Sequence, residues 1–146
     1  MDKADFYTIG YQGKSIGDLV SILKAAGVAT LIDIRHNPSS RFRPEFSKRN
    51  LQKAVEDEDV GYVHRRDLGI PSHVRKGVRE RGEWESVHRW YEDNVLAALT
   101  DADLRAIVAP HPQPVALMCM EAEPSQCHRS WLATALGRVG LRGRDL

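Results

Sequence analysis

An α/β sandwich is the fold this chain predicts: three layers, α/β/α, around a mainly parallel sheet of four or five strands. Three observations carry that expectation. Phe6–Ile9 and Thr30–Ile34 are short apolar, β-rich runs that together with the helical pattern between them span about thirty residues. Val115–Cys119 is a further apolar run, followed by a helical pattern that buries Trp131, Leu132, Ala135, Leu136 and Val139. The 146 residues, 42% apolar and 28% charged, are enough for one domain with one core, so residues 1–146 read as a single domain.

The elements follow in order. Strand one stops at Gly10. Ser15 caps a helix carrying Ile16, Leu19, Val20, Ile22 and Leu23, which ends at Gly27. TLIDI is strand two, and the strand–helix–strand unit should be parallel and right-handed. HNPSSRFRPEF is a loop. Ser47 caps a second helix with Leu51, Ala54 and Val55 on one face, and GYVH at 61–64 is strand three. Residues 65–82 read as an irregular basic loop or lid, because Gly69, Pro71, Gly77 and Gly82 break any pattern. Trp84, Val87, His88, Tyr91, Val95 and Leu99 recur at helical spacing, which predicts a helix over 83–99. A short helix over 101–108, a proline-marked connection and strand Val115–Cys119 come next. The last helix is expected to begin at Ser125 and to end at Gly140, and the tail LRGRDL either adds an edge strand or dangles.

Composition excludes several classes. No apolar run is long enough to span a bilayer, and MDKADFYTIG lacks a secretory apolar segment, so no membrane partner and a cytoplasmic location are expected. Two cysteines are too few for a disulfide scaffold; in a reducing compartment Cys119 and Cys127 should be free thiols or ligands. The net charge of +1 hides a basic middle: residues 35–89 hold 13 Lys/Arg against 9 Asp/Glu. Four of those acids are the run Glu56–Asp59. A local basic surface points to an anionic partner, a nucleotide or nucleic acid, against the plainer reading of a solvated face.

In a parallel sheet the residues just past each strand share one edge, the usual place for a ligand. Those residues are Gly10 and Tyr11; Asp33, Arg35 and His36; His64, Arg65 and Arg66; Cys119 and Glu121. Asp33 interrupts an apolar strand with Arg35 on the same face. The pair is either a structural ion pair or a catalytic carboxylate with a cation tuning it. Glu121 stands in the same relation to the fourth strand and could divide acid and base roles with Asp33. Cys127, His128 and Arg129 fall in the first helical turn after it, where N–H groups attract anions and favour a thiolate. Arg129 would add a two-pronged grip on phosphate or carboxylate. The plainer alternatives are a packing cysteine and a surface charge. A cysteine followed five residues on by arginine, as phosphocysteine chemistry needs, is absent, since that position is Ala133. Cys119, Cys127 and His128, with His36 or His64 from other loops, are the candidates to bind zinc or iron, although their spacing fits no zinc-finger template. Tyr11, His36, Arg41, Phe42, Arg43 and Phe46 interleave rings and cations that could hold bases and phosphates, or could simply pack a loop. His88 reads as a half-buried helix residue.

TIGYQGKSI, LIDIRHNPSSRFRPEFSK, GYVHRRDLG and LMCMEAEPSQCHRS together resemble the bacterial and archaeal domain-of-unknown-function 488 family over nearly the whole chain. That resemblance implies the α/β fold and a site drawing on Gly10, Asp33, Arg35, Pro38, Phe46, Cys119, Glu121, Cys127, His128 and Arg129. It implies no particular reaction. Relatives follow the last helix with a further β segment, which leaves the tail of this chain in question.

The expected function is an enzyme acting on a nucleotide or nucleic acid, by hydrolysis or transfer at a glycosidic or phosphate bond. Asp33, Glu121, His128 and Cys127 would be its catalytic residues. Arg35, Arg129, Gly10, Tyr11, Arg43 and His64 would bind the anion at or near the start of the last helix. The alternatives are a non-catalytic nucleic-acid-binding module, and a metal or redox protein built on Cys119, Cys127 and His128. No cofactor is assigned beyond a metal ion in that last case, and the oligomeric state is not legible.

Overall fold

Side chains that alternate between two cores along the strands build the layers. In the computed structural model, which describes residues 4–121 and 127–146, strand β1 is Phe6–Gly10, β2 is Thr30–Asp33, β3 is Gly61–His64 and β4 is Val115–Cys119. Every residue of β2 and β4 is buried, as strands covered on both faces require. Leu31, Ala116 and Met118 face one core with helices α1 (Ile16–Ala25) and α2 (Lys48–Glu56). Ile32, Val115, Leu117 and Cys119 face the other. That second core is completed by α4 (Trp84–Asn94), α5 (Asp101–Val108) and α6 (His128–Arg138), with Tyr91, Ile107, Leu132 and Leu136 fully buried or nearly so. The result is the α/β/α sandwich.

A fifth strand, β5 (Gly143–Asp145), settles the tail. It pairs in parallel with β1, Phe6 opposite Gly143 and Thr8 opposite Asp145. All five strands run parallel in the order β3-β2-β4-β1-β5. The chain leaves β1 through α1 on one face and leaves β4 through α6 on the other. The connections therefore diverge beside β4, which brings the carboxyl ends of β1, β4 and β2 together at one edge of the sheet.

Local chemistry sets the boundaries. Ser15 and Thr100 each close a reciprocal capping box, with Asp18 and Asp103 respectively, at the starts of α1 and α5. Gly27 takes a φ of +72° after α1, a conformation that suits glycine. Ser47 stands at the N-cap of α2 without capping it by its side chain; its Oγ instead accepts the Ser40 N–H at 3.0 Å.

Three expectations are corrected. Residues 65–82 are not an irregular loop: they hold a 3-10 turn, Arg66–Leu68, and helix α3, Ser72–Arg81. Pro71 opens that helix and Gly82, at φ +67°, closes it, so the residues read as breakers are its ends. The helix expected over 83–99 stops at Asn94 and tightens into a 3-10 turn over Leu96–Ala98. Helix α6 begins at His128 with Cys127 as its N-cap; Ser125 lies outside the described residues. No helix among the described residues is long and apolar enough to cross a membrane.

Candidate functional site

The carboxyl edge of β4 gathers most of the expected residues. Asp33, at the end of β2, is fully buried and saturated. Its Oδ1 accepts from the Arg35 backbone N–H at 3.1 Å and from Arg35 Nε at 2.9 Å. Its Oδ2 accepts from Arg35 Nη2 at 2.7 Å and from the Tyr62 hydroxyl at 2.6 Å. Four donors leave Asp33 little room for a substrate proton, so its geometry is that of the ion-pair reading. Burial, then the charge of Asp33, holds the Tyr62 phenol well above its ordinary range.

Arg35 keeps one nitrogen in reserve. Nη1 is buried and meets no partner among the described residues. The guanidinium lies 5.4 Å from the centroid of the Tyr11 ring, and Tyr11 stacks on Phe46 at 4.3 Å. Arg43 covers the other aromatic: it lies 4.6 Å from the Phe46 centroid, pairs with Glu45 at 2.9 Å and donates to the Lys14 carbonyl. Tyr11, Phe46, Arg35 and Arg43 thus pack on one another, whereas Arg41 and Phe42 are exposed, Phe42 by 92%.

Glu121, just past β4, is also buried. One carboxylate oxygen pairs with Arg75 of α3; the other, Oε2, has no partner among the described residues. Gly10 is required beside it, because a Cβ there would overlap the Glu121 carbonyl and the Arg129 guanidinium.

Helix α6 delivers the rest. Cys119 and Cys127 are joined as a disulfide, which corrects the expectation of free thiols or ligands. The reason is topological: α6 folds back on β1 and β4, which brings its N-cap over the end of the strand that precedes it. Arg129 is fully buried. Its Nη1 reaches the Cys119 sulfur at 3.1 Å and the Glu121 carbonyl, and its Nε donates to Asp145 Oδ1 at 3.0 Å. Asp145 in turn accepts the Thr8 hydroxyl at 2.6 Å. Its burial rules out the plainer reading of a surface charge; Arg129 presents a buried positive charge to sulfur.

His128 is buried with Nε2 2.9 Å from the Ile34 carbonyl. A carbonyl only accepts, so Nε2 carries the proton and Nδ1 is left as an acceptor, 3.8 Å from the Cys127 sulfur. Burial pushes its pKa down to about 4, against the Ile34 hydrogen bond, so the ring is neutral near neutral pH. His64 donates to the Arg35 carbonyl at 2.8 Å on the β3 side of the same edge. His88, away from the site, stacks on Trp131 at 4.5 Å.

The metal candidates regroup. The sulfurs of Cys119 and Cys127 and a carboxylate oxygen of Glu121 lie within 4.8 Å of one another, without His128. Two thiolates and a carboxylate would suit zinc, but only once the disulfide is reduced.

A model of one family, domain of unknown function DUF488, matches residues 15–136. The chain belongs to the DUF488 family. No curated protein and no solved structure matches it. In this DUF488 domain the sequence motifs all reach the carboxyl edge, but three supporting residues were not anticipated. Tyr62 faces the Asp33 carboxylate from β3, a contact that the strand register could have hinted at. Arg75 sits in a stretch read as loop. Asp145 sits in the tail, and nothing in LRGRDL marks it as the partner of Arg129.

Proposed function

We propose that this DUF488 protein is a thiol-based enzyme that exchanges electrons between the Cys119–Cys127 pair and a small thiol or disulfide. The observation that carries this reading is the buried guanidinium of Arg129 set 3.1 Å from the Cys119 sulfur. A cation there stabilises a thiolate, hence makes Cys119 a better leaving group when the disulfide is attacked. Cys127, as N-cap of α6, gains the same help from the helix dipole.

The exchange runs in two steps. A substrate thiolate attacks the Cys127 sulfur, a new substrate–Cys127 disulfide forms, and the electron pair of the broken bond leaves on Cys119 opposite Arg129. A second substrate thiolate then attacks the substrate sulfur of that mixed disulfide. Cys127 leaves as thiolate at the start of α6. Two substrate thiols are oxidised and one protein disulfide is reduced. Both cysteines are at most 1% exposed, which favours a small substrate over a protein surface.

The test is the rate at which the reduced protein is oxidised by hydroxyethyl disulfide, against Cys119→Ser and Cys127→Ser. Wild type should form an intramolecular disulfide, while each single variant should stop at a mixed disulfide or not react. A wild-type protein that forms no internal disulfide under these conditions removes the proposal.

The reading of an enzyme that cleaves or transfers at a nucleotide bond retains one specific support, the unpartnered Oε2 of buried Glu121. In that reading Glu121, rather than the saturated Asp33, is the acid or base. Glu121→Gln separates the two: it should abolish nucleotide turnover and leave disulfide exchange intact.

A further inference from the structure

Away from the sulfurs, on the β2–β3 side of the same edge, lies a groove of about 470 Å³. His36 follows β2, His64 closes β3, Arg66 stands in the 3-10 turn, and Ser72 and His73 open α3; all five line it. No carboxylate lines it among the described residues. Asp67, the acid nearest in sequence, is held by Arg65 at 2.8 and 2.9 Å. Among the described residues Arg66 meets no carboxylate; it donates to His36 Nε2 at 3.3 Å and is exposed. Burial, then the neighbouring Arg66, His73 and His64, lower the pKa of His36.

The groove does not end there. Across a ridge of His36, Arg66 and Pro71 it continues into a second hollow of about 590 Å³, where Trp90 of α4 and Val95 give an apolar wall and Asn94 and Asp67 give polar edges. A cationic hollow wants a doubly charged anion, and an adjoining indole wants a flat ring. One ligand class satisfies both halves across a shared ridge.

We propose that this two-part cleft binds a nucleoside monophosphate unit, with its phosphate among Arg66, His64 and His73 and its base against Trp90. The inference goes beyond the thiol chemistry and does not depend on it. The unit comes either as a free nucleotide or as the phosphorylated end of a nucleic-acid strand.

The experiment is titration calorimetry of the full chain with three probes: adenosine monophosphate, inorganic phosphate and adenosine. The monophosphate should bind saturably and more tightly than either part. Arg66→Ala should weaken both phosphate-bearing probes at least about tenfold. Trp90→Ala should weaken the nucleotide and adenosine, and leave inorganic phosphate unchanged. Arg66 is exposed, and an unchanged melting curve for that variant excludes a folding defect. The Cys119→Ser variant should bind like wild type, so failure of the thiol reading would not be mistaken for failure here. A terminally phosphorylated DNA hexanucleotide that displaces the monophosphate assigns the source to a strand end; one that does not assigns it to the free nucleotide. No saturable binding of the monophosphate overturns the proposal, as does binding that neither substitution alters.

Discussion

His128 is the residue whose proton balance matters most for stability. Its folded pKa of about 4 lies below the ordinary 6.5, so between those values the unfolded chain binds the proton that the folded chain refuses. The contribution is fully present above pH 6.5 and is lost as pH falls towards 4, by about 3 kcal/mol in all. Urea unfolding at pH 7 and pH 4.5 should show that loss, and His128→Asn should flatten the dependence. Asp33 is a second sensitive point. Asp33→Asn leaves Arg35 buried without its counter-charge and should cost about 3–5 kcal/mol by the same measurement. At Gly10 a methyl group has to displace the Glu121 backbone, so Gly10→Ala should cost about 1–3 kcal/mol. At this scale the sequence was partly legible. An aspartate in an apolar strand with an arginine two residues on is a readable pair, whereas Tyr62 and Asp145 act through partners 29 and 16 residues away that no local pattern links.

Among the elements, α1 and α5 declare themselves most clearly, each with a hydroxyl cap and an aspartate three residues later. Removing either cap, by Ser15→Ala or Thr100→Ala, should lower stability by about 1 kcal/mol in chemical denaturation, since each side chain satisfies an otherwise orphan N–H. Helix α3 was illegible for the opposite reason. Its residues are strongly polar and include Gly77, so no apolar stripe announces it; Pro71 and Gly82 looked like interruptions because their role as helix ends depends on what lies between them. The start of α6 was also misjudged. A cysteine is not an expected N-cap, and its place there comes from being tied to Cys119 at the end of β4. Arg75, carried by α3, therefore could not be foreseen as the partner of Glu121.

Across the whole molecule, parallel topology does what sequence spacing alone could only promise. Asp33 ends β2, Cys119 and Glu121 stand at the end of β4, and Cys127 and Arg129 start α6; the order β3-β2-β4-β1-β5 puts β2 beside β4. The last strand is part of that assembly: β5 covers the edge of β1 and supplies Asp145 to Arg129. Deleting residues 143–146 should therefore both lower the melting temperature and alter the reactivity of Cys119, whereas a merely terminal strand would change only the first. The central proposition is that a buried positive charge favours thiolate at the sulfur pair. Two effects compete there: burial alone raises a thiol pKa, and Arg129 with the start of α6 lowers it. The most direct measurement is the pH dependence of alkylation of Cys119 and Cys127 in the reduced wild-type protein, read by mass spectrometry. At least one thiol should titrate clearly below the ordinary value of about 8.5. Two thiols that both titrate at or above that value would contradict it.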